Sequence, residues 1–153
     1  MLFEGKIPVH AEPSAVWKLL LDINEFADCV PGVSNVVKID DSTFDGTIAA
    51  SVGPISGEFA FRAHIIESDP PRAMAAHVDG TDSVTKSSMT AEMAMTLARL
   101  GANETELTYH ATVDIRGRLA LIGDMVLMAT AKLIIQEFTK RLRRKVEVVP
   151  APG

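Results

Sequence analysis

With 153 residues, 47% of them hydrophobic, and a mean hydropathy of +0.17, the chain can bury one ordinary core without staples and still have apolar surface left for a cavity. Its net charge of −5 argues against nucleic acid as a partner, because phosphate contacts supply most of that affinity. The single cysteine, Cys29, excludes an internal disulfide and suits a reducing cytoplasm, and the start Met1 to Lys6 does not read as a signal peptide.

From the N-terminus, Phe3, Gly5, Ile7 and Val9 alternate with Glu4, Lys6 and Pro8, which predicts a half-buried strand; Pro8 places it at a sheet edge. Glu12-Pro13-Ser14 then sets proline in a first helical turn, and Val16, Trp17, Leu19 and Leu20 supply an apolar face ending at Asp22. A second short helix is expected over Asn24 to Cys29, closed by Pro31-Gly32. No histidine lies near Cys29 in sequence, so its thiol reads as packing rather than as a nucleophile.

Between residues 33 and 116 the period changes to two. Val33 to Ile39 leads to a turn at Asp40-Asp41-Ser42, followed by a strand with Phe44, Gly46, Ile48, Ala50 and Val52 on one side and a break at Gly53-Pro54. Further strands are expected with Phe59, Phe61, Ala63 and Ile65 inward, and with Met74, Ala76 and Val78 inward up to a turn at Asp79-Gly80. Two more carry Met89 to Leu97 and Leu107 to Ile115 on one face. Strands with one wet face form an antiparallel sheet covered on a single side.

The cover is the stretch from Leu119 to about Val146, in which Leu127, Ala131, Ile134, Ile135, Phe138 and Leu142 form one stripe. Ile122, Val126, Ala129 and Leu133 make the opposite side of its first half apolar as well, so that side is expected against a ligand, a partner or a membrane. Asp124 and Lys132 interrupt this region and argue against its spanning a bilayer. Residues 1–149 read as a single domain and 150–153 as a flexible tail.

Strand, two short helices, six antiparallel strands and a long final helix is an order that resembles the START-like, or Bet v 1-like, helix-grip superfamily, an α+β fold with a curved antiparallel sheet wrapped around a long C-terminal helix. Within it, several segments resemble the CoxG family, that of the CoxG subunit of carbon monoxide dehydrogenase. These are Phe3-Glu4-Gly5 followed by Val16-Trp17, the Val30-Pro31-Gly32 turn, the run Val52 to Gly57, and Gly117-Arg118-Leu119-Ala120 leading to Ala131-Lys132-Leu133-Ile134. The resemblance implies a non-catalytic accessory protein of molybdenum hydroxylases of the carbon monoxide dehydrogenase type, associated with membrane recruitment and with binding a hydrophobic molecule, a lipid or quinone, between sheet and helix. Some relatives carry a C-terminal hydrophobic anchor; the sequence reads to Gly153 without one, so the expectation is a cytoplasmic protein with at most peripheral contact at the inner face of the plasma membrane.

For a ligand cavity the candidates are Phe59, Phe61, Met74, Met93, Met95, Tyr109, Met125, Met128, Ala129 and Leu133. Soft methionines either fill gaps in a plain core or suit a greasy ligand, with Tyr109 as the polar handle. Five of the fifteen basic residues fall in the run from Lys140 to Lys145, among them Arg141, Arg143 and Arg144. They read either as a solvated face at the negative end of the helix dipole or as a contact for anionic lipid or an acidic partner. His10, His64, His77 and His110 have no ligand spacing, so no metal, cofactor or catalytic residue is expected. Two alternatives stand beside the carrier. One is an enzyme resembling the polyketide cyclases, which would want acid-base groups in the cavity. The other is a structural subunit that buries the apolar side of the helix in a homodimer or against a partner enzyme.

Overall fold

The computed structural model describes residues 1–52 and 55–147, and in it the chain folds as a seven-stranded antiparallel sheet closed on one face by helices. Strand β1 (Leu2–Val9) is followed by α1 (Pro13–Leu21) and α2 (Ile23–Cys29), then β2 (Val33–Asp40), β3 (Thr43–Val52), β4 (Ile55–Asp69), β5 (Ala73–Asp82), β6 (Ser87–Gly101) and β7 (Glu104–Gly117). A 3₁₀ turn, Arg118–Ile122, leads to α3 (Asp124–Val146). The strand order β1-β7-β6-β5-β4-β3-β2 puts β1 at an edge, where the missing N–H of Pro8 costs nothing. The expected break at Gly53-Pro54 and the tail 150–153 lie outside the described residues.

Local chemistry explains the helix starts. Pro13 occupies the first turn of α1, where its missing donor has no helical partner to lose. Asp22 ends α1 and caps α2, its Oδ1 accepting from the N–H groups of Asn24 at 3.1 Å and Glu25 at 3.2 Å.

Two elements depart from the sequence pattern. The expected turn at Asp79-Gly80 is instead the continuation of β5, with Asp79 paired to Thr90 and Gly80 to Met89. The turn comes at 83–86, because Asp82 supplies its chemistry. The buried Asp82 carboxylate accepts from the N–H of Val84 at 2.8 Å, of Glu58 at 3.2 Å and of Thr85 at 3.4 Å, and from Thr85 Oγ1 at 3.0 Å. Burial pushes this carboxyl up, but those bonds outweigh it and hold it below the ordinary value. Thr85 Oγ1 passes the network to Ser87 Oγ, which accepts from the N–H of Leu119 at 2.9 Å and so fixes the entry to the last helix.

The second departure is that the final helix does not run unbroken from Leu119. Gly123 sits at φ +100°, a backbone conformation that interrupts the helical path, and α3 proper begins at Asp124.

Among the described residues, inward side chains from sheet and helices form two separate hydrophobic clusters. The larger joins Ile7, Val9, Leu97 and Leu107 of the sheet to Val16, Trp17, Leu19, Leu20 and Cys29 of the short helices and to Leu142 near the end of α3. Burial pushes the Cys29 thiol above its usual pKa, as expected of an inert packing cysteine. The smaller cluster gathers Phe59, Leu119 and Leu127 at the other end of the helix.

Candidate functional site: a cleft between sheet and helix

Register places the inner face of the sheet residue by residue. Met74, Met95, Tyr109 and Gly5 form one row across β5, β6, β7 and β1; Ala76, Met93, Ala111 and Phe3 form the next; Ala63, Val78, Ala91 and Val113 form another across β4 to β7. These rows lie between the two clusters, and much of them is not sealed. Ala63, Ala76, Val78, Ala111 and Val113 are half-buried, and Met93 keeps 40% of its surface exposed although it stands on the face that packs the core. On α3 the stripe defined by the buried Leu127 and Leu142 runs through Ala131, Ile134 and Ile135, which are likewise half-buried. Between the packed ends the sheet side chains are mostly small and those on both surfaces stay partly exposed, so the middle under the helix is less closely filled than either end.

Between the free edge of β1 and α3 the surface is indented by two open grooves. One, about 410 Å³, is lined by Phe3, Met128 and Lys132 among others; the other, about 600 Å³, is lined by Ile7 and by Lys140, Arg143 and Arg144. Both include Tyr109, Ile135 and Gln136, so the tyrosine stands where they meet. Gly5 permits this position: a Cβ there would lie 2.6 Å from the Tyr109 hydroxyl. A glycine inside a strand often marks such a close approach.

Of the cavity candidates, Tyr109 and Met128 line the grooves and Met93 lies exposed on the inner face. Met74 and Met95 pack against the larger cluster, while Phe59 is buried in the smaller one. Phe61 is half-buried on β4, its ring over Gly46. Met125, Ala129 and Leu133 turn away from the sheet, with Met125 86% and Leu133 65% exposed, so the expectation that they line the cavity is corrected. The reason is rotational: at 100° per residue they fall on the side of α3 opposite Leu127 and Leu142.

The basic run is also divided rather than presented as one face. Arg141 turns to the far flank, bonding Glu137 Oε1 at 3.0 Å and the Asp28 carbonyl at 3.3 Å. Arg143 donates from Nε and Nη2 to the Pro8 carbonyl at 3.0 and 2.9 Å, and Lys145 pairs with Glu25 at 2.9 Å. Lys140 and Arg144 make no ion pair among the described residues.

The outer face of the sheet carries His64, His77 and His110. His77 is held between Glu92 Oε1 and Asp79 Oδ2, the latter 2.9 Å from Nε2; first Glu92 and then Asp79 raise its pKa. His64 bonds Thr43 at 2.9 Å. Among the described residues no group of His, Cys, Asp and Glu is arranged to hold a metal ion, and no helix is long and apolar enough to cross a membrane.

A sequence profile of the CoxG family, that of the CoxG subunit of carbon monoxide dehydrogenase, matches residues 5–147. The chain belongs to that family. No curated protein matches it in sequence. Among solved structures, a conserved protein from Geobacillus kaustophilus superposes with a TM-score of 0.88 at 22% identity, over 95% of this chain and 94% of that one. The Zhui aromatase/cyclase from Streptomyces gives 0.70 at 20% identity over 100% and 98%, and a START superfamily protein from Mycobacterium smegmatis gives 0.70 at 14% over 95% and 96%. The fold of this CoxG protein is therefore START-like, as the element order predicts.

Proposed function

We propose that this CoxG protein is a non-catalytic accessory protein that holds a hydrophobic molecule, a lipid or a quinone, between sheet and helix and serves a molybdenum hydroxylase of the carbon monoxide dehydrogenase type. One observation carries the ligand reading: the inner sheet face stays partly open between two packed clusters, with Met93 40% exposed where a closed core would bury it. Apolar burial would supply the affinity, at about 25 cal/mol per Å² before the costs of binding. The family supplies the link to the hydroxylase. The outward stripe of Met125, Ala129 and Leu133 on α3 is the surface we assign to that partner, since a contiguous exposed apolar patch marks an interaction site. On this reading the protein works in the cytoplasm, and its contact with the inner face of the plasma membrane is peripheral.

Native mass spectrometry of the protein after incubation with membrane lipid extract tests the carrier. A stoichiometric apolar adduct is the expected result, and its absence would count against a ligand in the cleft. An enzyme of cyclase type is the second reading, favoured by the likeness to the aromatase/cyclase. Its acid-base chemistry would have to rest on Tyr109, the hydroxyl standing among the apolar rows of the inner face. Tyr109→Phe should leave the fold in place; loss of a turnover that the unaltered protein shows would favour the enzyme.

A further inference from the structure

The two grooves along β1 and α3 differ in charge from the rest of the molecule. The chain carries −5 overall, yet Lys6, Lys132, Lys140, Arg143 and Arg144 line the joined trough. Two carboxylates line it as well: Glu4, and Glu147, whose Oε2 already accepts from the His10 N–H at 2.8 Å. Its apolar lining comes from Phe3, Ile7, Tyr109, Met128 and Ile135. Along the helix, from Met128 to Arg144, the trough covers roughly 24 Å at 1.5 Å per residue, enough for a long acyl chain. The cations are concentrated at one end, where Lys140, Arg143 and Arg144 stand, and the greasier lining lies at the other.

We infer that this trough binds a single-chain amphiphile with an anionic head group, of which a long-chain carboxylate is the simplest case. The head lies among Lys140, Arg144 and the Tyr109 hydroxyl, and the tail runs past Ile135 toward Phe3 and Met128. Arg143 is spent partly on the Pro8 carbonyl, Lys6 pairs with Glu106 at 3.6 Å, and Lys132 lines the other groove beside Phe3 and Met128, which leaves Lys140 and Arg144 as the main charge contacts for the head. The inference rests on the reading of the cleft as an apolar-ligand site and adds the chemistry of the head. A neutral head would forgo these cations; an anionic one gains charge-assisted hydrogen bonds.

Equilibrium dialysis below the micelle concentration, with palmitate and hexadecanol as matched probes, tests it. Palmitate should bind about tenfold more tightly than hexadecanol at low salt, a ratio set by one or two exposed charge contacts. That advantage should shrink as salt is added. The double variant K140Q/R144Q, which disturbs no ion pair among the described residues, should lose the palmitate advantage and keep its melting temperature and hexadecanol affinity. Equal affinity for the two probes, or a palmitate advantage that survives in the double variant, would overturn the head-group assignment while leaving the apolar carrier intact. Binding of neither probe would sink the carrier reading with it. A third arm offers vesicles of phosphatidylglycerol: capture by vesicles without binding of monomeric palmitate would show that the cations address a bilayer surface, and would likewise overturn the inference.

Discussion

The two ends of α3 are held in different ways. Near its C-terminus, Leu142 is wholly buried, one of eleven buried members that a cluster counts among the described residues, most of the others coming from the sheet and from α1 and α2. Near its N-terminus, Leu127 is one of three buried members of a smaller cluster among the described residues, with Met1, Ile48, Met89, Ile115 and Ile122 only partly buried around it. One end is a core in the ordinary sense and the other is closer to a clasp. A cleft between a fixed end and a lightly held one can admit a bulky apolar molecule by local opening rather than by unfolding, because regions with few buried contacts open at lower free-energy cost.

The comparison can be broken most directly by truncation. Leu142→Ala should cost about 2–5 kcal/mol in denaturant unfolding, as expected for a fully buried leucine whose surroundings cannot collapse. Leu127→Ala should fall near about 2 kcal/mol, at the low end of the same range, because its half-buried neighbours can close over the gap. Equal costs at the two sites would contradict the asymmetry. Native-state hydrogen exchange sharpens it further: amides in the first turns of α3 after Leu127 should exchange faster than those near Leu142, and an apolar ligand should slow the former more than the latter.

Smaller effects are expected in the middle. Met93→Ala removes a side chain that is 40% exposed, so its cost in stability should stay below about 1 kcal/mol. Retention of an apolar ligand should nevertheless fall severalfold in the adduct measurement, whereas unchanged retention would place the ligand elsewhere.

The smallest effect concerns the outer sheet face. His77 is raised by its bonds to Glu92 and Asp79, and the facing groups are the cross-strand His64 and the Thr90 hydroxyl that donates to Asp79. A raised folded pKa means that the folded protein holds this proton more tightly than the unfolded chain does. The stabilisation is complete below the ordinary histidine value of about 6.5 and is lost as pH rises through the raised value. Thermal melts should therefore drop as pH rises above about 6.5, by a small, salt-sensitive amount that His77→Gln abolishes. A pH profile unchanged in that variant would assign the drop to another group.

Periodicity made much of this molecule legible. Alternation at Leu107 to Ile115 identifies the inner face of β7 because side chains on a strand have a period of two whatever surrounds them. Pro8 marks the edge strand, and Pro13 the start of α1, through constraints that belong to the proline ring itself. The same logic explains where the pattern misled. Asp79-Gly80 has the composition of a turn, but the pairing of β5 with both β4 and β6 carries the strand through it, and a turn held by the Asp82 carboxylate follows.

The site was harder to read. Tyr109 and Met128 could be named from their faces, but Lys6, Ile135 and Gln136 enter the trough only because β1 and α3, distant in sequence, lie side by side. Met125 and Leu133 were misplaced because an apolar helix side says only that something should cover it, not which side the sheet has taken. The strand faces, the short helices, the long final helix and the family follow from local sterics and residue pattern alone. That α3 is pinned at two ends with an open middle, and that its basic run divides between a groove and the opposite flank, emerges only when sheet and helix are packed together. Those outcomes depend on how far apart two packed surfaces come to rest and on the rotation of one helix about its axis.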